Sequence, residues 1–279
     1  MENTFLYLSK YIILLLMLSF YFKLKETISI IIPTYNRKEK IVNSIQSVLN
    51  QTYLNIEIII IDDCSTDNTD QIIKKIKDNR IKYIKLKKRH GAPYARNLGI
   101  KLANGKFIAF QDSDDIYYYN KLEKQMKNLK KNNSDLDFCN IKIHINKTLD
   151  RIVPNEKAIK EIINRNIYGA LINLGNFIST QSILVKKSNI EKYFFDIKFP
   201  RLQDYDLMLR MIPNLKVSFT NEILVELFRN NDSISNDPIK LQKSLNLLLK
   251  KNYEFNSIQK KKFKKFIEKV RKINNYFKK

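Results

Sequence analysis

From Thr27 onward the chain alternates short, nearly all-apolar runs with longer stretches whose apolar residues recur every three or four positions. "ISIII" (28–32), "IEIIIID" (56–62), "IKYIKL" (81–86) and "KFIAF" (106–110) have the length and β-branched content of buried strands. Pro33 is expected to stop the first of them. Between them, "RKEKIVNSIQSVLNQ" (37–51) puts Ile41, Ile45, Val48 and Leu49 on one helical face. "DNTDQIIKKIKD" (67–78), "APYARNLGIKLA" (92–103) and "NKLEKQMKNLKK" (120–131) read as further helices. Strands that are apolar throughout, separated by helices, predict an α/β fold with a Rossmann-like, mostly parallel sheet sandwiched by helices.

The second half is less regular. "FISTQSILVK" (177–186) reads as a strand, "RLQDYDLMLRMI" (201–212) as a helix and "KVSFTNEILVELF" (216–228) as one or two strands. Two Lys-rich helices follow Asp237-Pro238. In the last, Phe263, Phe266, Ile267, Val270 and Phe277 line one face, while ten basic residues from Lys260 onward crowd the rest. Such a basic amphipathic helix suits an anionic membrane surface, or docks on the domain with its charged side in water.

The N-terminus breaks the pattern. Its apolar stretch, taken from Phe5 to Phe22, covers 18 residues, enough to span hydrocarbon apart from Lys10. It has no basic n-region and no small-residue cleavage site, so it is a poor signal peptide. Lys23 and Lys25 follow it, which by the positive-inside rule places the bulk of the protein on the cytoplasmic side. The two readings are a membrane anchor and an extra helix packed on the domain. The expected organisation is an apolar N-terminal helix (1–26), a main domain (27–237, divided at 115/116) and basic C-terminal helices (238–279).

Composition narrows the classes. At 44% hydrophobic and 11% aromatic residues the chain is not disordered. Its net charge of +23 comes from 51 Lys and Arg against 28 Asp and Glu, but only 10 of the basic residues are Arg. A Lys-decorated surface accounts for this as well as a dedicated basic face does, and no nucleic acid is expected as partner. Two cysteines, Cys64 and Cys139, make neither a disulfide framework nor a metal spacing. P-loop and G-x-G-x-x-G signatures are missing, which disfavours P-loop ATPases and nicotinamide enzymes.

In a parallel sheet, ligands bind beyond the carboxyl ends of the strands. Those ends here are polar: Pro33-Thr34-Tyr35-Asn36, Asp62-Asp63-Cys64-Ser65 and Gln111-Asp112-Ser113-Asp114. Asp112 and Asp114, in a D-x-D spacing, can offer oxygens to Mg²⁺ or Mn²⁺ and through it to a diphosphate, although an isolated D-x-D is more often a solvated turn or cap. Asp115 suits the cap of the next helix. Asp63 can accept a nucleobase imide N–H, with Thr34 and Tyr35 flanking the base, or can belong to a turn, with Tyr35 a core aromatic. Gly91 and Arg96 open a helix whose N-terminus attracts phosphate, while His90 reads as a loop residue.

Together "SIIIPTYNR", "SVLNQTY", "EIIIIDDCSTDNT", "GAPYARNLGI", "GKFIAFQDSDD" and "RLQDYDLMLR" resemble the family 2 glycosyltransferases, inverting enzymes of the GT-A (nucleotide-diphospho-sugar transferase) fold. The likeness runs from about residue 27 to 230. It implies a metal-dependent transferase moving a sugar from a nucleotide-sugar donor, a UDP-sugar foremost, to a hydroxyl of a glycan, lipid-linked or protein acceptor. By position it implies Pro33, Thr34, Tyr35, Asp63, Gly91, Arg96, Asp112 and Ser113 for the donor, and Asp114 with Asp112 for Mn²⁺ or Mg²⁺. Asp204 takes the place of the general base. Gln203 stands where the family commonly has Glu, and Asp206 reads as structural. Three rival readings remain: a catalytically inactive GT-A-fold binding protein at a membrane or in an assembly, a sugar nucleotidyltransferase, and a nucleic-acid binder. The nucleotidyltransferase would want a Gly-rich loop after the first strand, which "PTYNRKEK" lacks.

Overall fold

A computed structural model describes residues 26–145, 149–229 and 237–276. The first half runs β1 (Ile28–Thr34), α1 (Ile41–Leu49), β2 (Ile56–Asp62), α2 (Thr69–Lys75), β3 (Ile81–Lys85), α3 (Ala92–Leu102) and β4 (Phe107–Phe110). The second half runs β5 (Ile116–Tyr117), α4 (Lys121–Lys131), β6 (Leu136–Ile145), β7 (Leu149–Val153), α5 (Glu156–Ile163), α6 (Ile167–Leu174), β8 (Ile183–Lys186), α7 (Lys187–Ile190), α8 (Gln203–Met211) and β9 (Val217–Arg229). Helices α9 (Pro238–Lys250) and α10 (Ser257–Tyr276) close the described chain.

Every residue of β1 is buried. Successive side chains of a strand point to opposite faces, so an unbroken isoleucine run needs cover on both. Ile28, Ile30 and Ile32 pack with Ile41, Ile45 and Val48 of α1. Ile31 packs on the other side with Ala95 and Ile100 of α3. β3, β2, β1 and β4 are parallel neighbours in that order. The sheet continues through β8, β6, β9 and β5 with mixed directions: β8 is antiparallel to β4 and β6, whereas β9 is parallel to β6. A register shift near Cys139 and Asn140 bends the long strand β9, and the strand's far end returns to the carboxyl end of β4.

Several elements differ from the sequence reading. The first strand passes through Pro33 to Thr34, because a proline this close to a strand's end removes little of the ladder. In 177–186 only Ile183–Lys186 is strand, preceded by a tight turn at Thr180–Ser182. "LDFCNIKIHI" forms the central strand β6, whose buried Asp137 and Asn140 break the apolar pattern.

The expectation of a cytoplasmic-side protein held by an N-terminal membrane helix does not stand. Residues 1–25 lie outside the described residues, and among the described residues no helix is long and apolar enough to cross a membrane. The apolar face of α10 is covered by the protein itself: Phe263 and Ile267 are buried in the core, and Phe266 and Val270 pack against it. A Cβ on Gly175, just after α6, would lie 2.4 Å from the Phe266 ring. Phe277 falls outside the described residues.

Two buried features yield predictions. A Cβ on Gly99 of α3 would lie 2.4 Å from Cγ2 of Ile31, so the helix reaches β1 only because that residue has no side chain. Gly99→Ala is expected to destabilise the fold by about 1–3 kcal/mol, measured as a lower urea midpoint at unchanged m. Lys121, fully buried, donates from Nζ to Gln125 Oε1 at 2.6 Å, and Gln125 Nε2 donates to Asp137 Oδ1 at 3.0 Å. Burial lowers the Lys121 pKa to about 8 from an ordinary 10.5, outweighing the pull of Cys139 and Asp137. Between those values the unfolded chain binds more protons than the folded one, so stability rises with pH. Relative to Lys121→Met, the wild type should gain roughly 2–3 kcal/mol across that window, read from urea unfolding at several pH values.

Candidate functional site

The ends of β1, β2 and β4 supply the floor of the site. At β1, Thr34 is 2% exposed and its Oγ1 has no partner among the described residues, while its carbonyl accepts the Asp63 N–H at 2.8 Å. Pro33 lies within the strand, buried. Tyr35 is half-buried with the guanidinium of Arg89 3.9 Å above its ring centre. At β2, Asp62 accepts from Ser65 N and Tyr83 OH, both at 2.7 Å, and so serves the local turn. Asp63 accepts from the backbone N–H groups of His90 and Gly91, each at 2.7 Å. It thereby fixes the loop that opens α3, where Gly91 needs its φ of +93°.

Arg96, one turn into α3 and 6% exposed, joins two parts of the site. Its Nη2 donates to Asp112 Oδ1 at 2.7 Å and its Nη1 to Gln203 Oε1 at 3.3 Å, with Phe195 5.4 Å from the guanidinium. Asn97 clamps Phe195 through two 2.8 Å bonds to its backbone. The D-x-D segment after β4 is thus tied to the start of α8.

The three aspartates after β4 are partnered unequally. Asp112 accepts from Arg96 on one oxygen and from Gln181 Nε2, at 2.5 Å, on the other. Its carbonyl accepts from Ser44 Oγ of α1 at 2.9 Å. Asp115, 2% exposed, accepts from Gln181 Nε2 at 2.8 Å and from Phe228 N of β9 at 3.2 Å. Asp115 therefore ties the turn before β8 to β9 rather than capping a helix. Burial, with the charges of Asp112 and Asp114, raises its pKa well above the carboxylate range. Asp114 is half-buried with one charged neighbour in contact, Arg37 Nε at 3.5 Å. Burial and Asp112 raise its pKa against the opposing charges of Arg37 and Lys40. Ser113 is buried between them.

Asp114 and Asp112 are hard oxygen donors at a mouth where negative charges crowd, which fits Mg²⁺ or Mn²⁺. Among the described residues no three His, Cys, Asp or Glu side chains converge on one point, so such an ion would complete its shell with phosphate and water oxygens.

Asp204 lies in the first turn of α8, half-buried, and accepts its neighbour Tyr205's N–H at 2.9 Å. Burial raises its pKa, opposed by that N–H, by the Asn176 side chain and by the charge of Arg96. Asp206 is buried and saturated by Arg210, Lys251 and Tyr253, a structural role as the sequence suggested. Sequence reasoning passed over Gln181, Arg37, Arg89 and Asn176. Nothing in "STQSILV" singled out the first, because Gln181 sits among the polar Ser179, Thr180 and Ser182.

The chain matches the family model described as "Glycosyl transferase family 2" over residues 29–194. It is 36% identical over 199 residues to the Escherichia coli UDP-Glc:alpha-D-GlcNAc-diphosphoundecaprenol beta-1,3-glucosyltransferase WfaP, covering 70% of this chain and 74% of that one. An uncharacterized glycosyltransferase of Rickettsia bellii is 52% identical over 107 residues, which is 38% of this chain and only 15% of that longer relative. Staphylococcus aureus TarS 1-349 in complex with UDP-GlcNAc superposes with a TM-score of 0.69 at 21% identity, over 86% of this chain and 71% of that one. The mannosyltransferase PcManGT of Pyrobaculum calidifontis, in complex with GDP-Man and Mn²⁺, gives 0.63 at 15%, over 88% and 69%. At these identities the solved structures establish the GT-A fold.

A prediction attaches to Asp63. Asn in its place would turn an NH₂ toward one of two N–H donors, at a cost of about 1–3 kcal/mol. Asp63→Asn should lower the thermal midpoint accordingly and weaken UDP binding, measured by calorimetry.

Proposed function

The chain belongs to glycosyl transferase family 2, and on that premise we propose an inverting, metal-dependent transferase that moves a sugar from a UDP-sugar to a hydroxyl of a lipid-diphosphate-linked saccharide. The observation that supports this reading is the pair of bonds from Arg96 to Asp112 and Gln203, which ties the D-x-D segment to the helix start that carries Asp204. The donor and acceptor classes draw support from the E. coli relative, whose name states both.

On this reading the base of the nucleotide lies across the ends of β1 and β2. There the unpaired Thr34 hydroxyl and the Tyr35 ring face it, and Asp63 keeps its loop in place. The diphosphate lies against the Gly91–Arg96 helix start, where the helix dipole favours negative charge. Asp114 and Asp112 would hold Mn²⁺ or Mg²⁺, which when bound neutralises charge on the departing diphosphate. Asp204 takes the proton of the acceptor hydroxyl. The freed oxygen forms its bond to the anomeric carbon from the face opposite the diphosphate, and the nucleoside diphosphate leaves with the electrons of the broken bond. A base with a raised pKa holds that proton better than an ordinary aspartate does, provided the pH lies above its own pKa.

Asp204→Asn should therefore lower kcat by roughly 10²–10⁴ in a Mn²⁺-supplemented transfer assay while UDP affinity persists. In the wild type, kcat/KM should fall as pH drops through a pKa above the usual aspartate value, and the Asn variant should lack that limb. Turnover surviving Asp204→Asn together with Asp114→Ala would overturn the mechanism. Folded protein that binds UDP but transfers to no acceptor would favour the inactive binding protein.

A further inference from the structure

Helix α10 gathers charge out of proportion to its length. Its 20 residues hold eight basic side chains and one acidic, nearly a third of the net +23 in well under a tenth of the 279 residues. A surface decorated evenly with lysine does not account for this. Lys261, Lys265, Lys269 and Lys272 are exposed and follow one another at spacings of four, four and three, on the side of the helix opposite the buried Phe263 and Ile267. Among the described residues none of the eight basic side chains has a carboxylate within ion-pair distance. Like charges four residues apart weaken a helix, so the stripe carries a repulsion that an anionic partner relieves.

The apolar side of α10 is already used by the fold, so the helix does not sink into an interface as a free amphipathic helix does. What it turns outward is charge, with apolar residues at its ends. Ile258 is 65% exposed, Ile273 50%, and Ile239 at the start of α9 72%. Asn274 Nδ2 donates to the Pro238 carbonyl at 3.2 Å. Ile273 and Ile239 each adjoin one of these bonded residues, so both lie at the same end of the helix pair.

We propose that the outer face of α10 binds the surface of an anionic bilayer. The lysines meet lipid phosphates, and the isoleucines at the ends enter the headgroup boundary. Lysine, a compact charge on a flexible stem, suits a fluid surface, whereas reading bases or clamping phosphates with a fixed fork favours arginine. Exposed isoleucines gain from a lipid interface and gain nothing from a phosphate backbone. This is attachment on the surface and requires no helix that crosses the bilayer. The face is also tied to the candidate site. Arg201 Nη1 donates to the Asp237 carbonyl at 2.8 Å and its backbone N–H to Ser244 Oγ of α9 at 3.0 Å, so the helix pair holds the segment that leads into Asp204. The binding stands apart from the transferase reading; its use to that reading is to keep the start of α8 near a lipid-carried acceptor.

Sedimentation of the full chain with vesicles tests this, comparing equal parts phosphatidylcholine and phosphatidylglycerol with phosphatidylcholine alone. The wild type should partition onto the mixed vesicles at least about a hundredfold more strongly, and added salt should weaken that preference. Lys261→Gln, Lys265→Gln, Lys269→Gln and Lys272→Gln, made together, should cut it by at least about tenfold. A control with the same charge removed elsewhere, at the exposed Lys75, Lys77, Lys82 and Lys127, should cut it by less than about threefold, because charges beyond a Debye length are screened. All eight side chains are exposed, and an unchanged thermal midpoint reports that both variants are folded. No preference for the mixed vesicles in the wild type, a preference untouched in the α10 variant, or an equal loss in the control would each sink the proposal. Tighter binding of the wild type to single-stranded RNA than to the mixed vesicles, lost in the α10 variant, would also overturn it and assign the face to nucleic acid.

Discussion

The ion pair between Arg96 and Asp112, 2.7 Å long with the guanidinium nearly closed to solvent, is the joint that holds the site together. A buried cation is tolerated only when paired, and removing one partner of such a pair typically costs about 3–5 kcal/mol. The pair therefore fixes where the carboxyl end of β4 lies relative to α3. Its geometry depends in turn on how near α3 comes to the sheet. Gly99 follows Arg96 by three residues, on the same side of the helix, and its missing Cβ lets the helix settle onto Ile31. Packing deep in the fold thus determines where a charge sits at its mouth.

The crowding of Asp112, Asp114 and Asp115 finds a physical answer in unequal partnering. Asp112 has Arg96 and Gln181, and Asp115 has Gln181 and a backbone N–H from β9. Asp114 has only the longer contact to Arg37, whose side chain is 41% exposed and correspondingly weak as a partner. Two of the carboxylates are built into the frame, and the third keeps the unmet demand for positive charge. A divalent cation carrying a diphosphate would meet that demand, and among the described residues the cation in contact with Asp114 is the exposed Arg37.

Much of the first half was legible because both of its signals are local. Apolar runs bounded by polar strand ends identify β1, β2 and β4, and the same boundaries place Thr34, Asp63 and Asp112 on one edge of a parallel sheet. The second half hid its strands because its burial is mixed. β6 carries Asp137 and Asn140 inward, where hydroxyls of Ser218 and Thr220 on β9 satisfy Asp137, a pairing between residues some eighty positions apart. Gln181 was invisible for the same reason, since its value lies in touching Asp112 and Asp115 at once. The amphipathic pattern of α10 was read correctly, but a pattern does not say what covers its apolar face, and here α6 and its neighbours do.

Gln203, a departure from the residue common in the family, takes on meaning beside Arg96. The amide oxygen accepts from Nη1 without adding charge, so the carboxylate in contact with the guanidinium is that of Asp112, and Asp204 feels the same charge without a bond to it. A glutamate at that position would make a stronger bond to Arg96. It would also place a second negative charge next to Asp204, whose proton affinity burial has already raised, and would push it further up. With glutamine, the helix start is still pinned to α3 while Asp204 remains the only ionisable group of that pair. The base function proposed for this motif then rests on a single carboxylate, whose charged form Arg96 favours against the effect of burial.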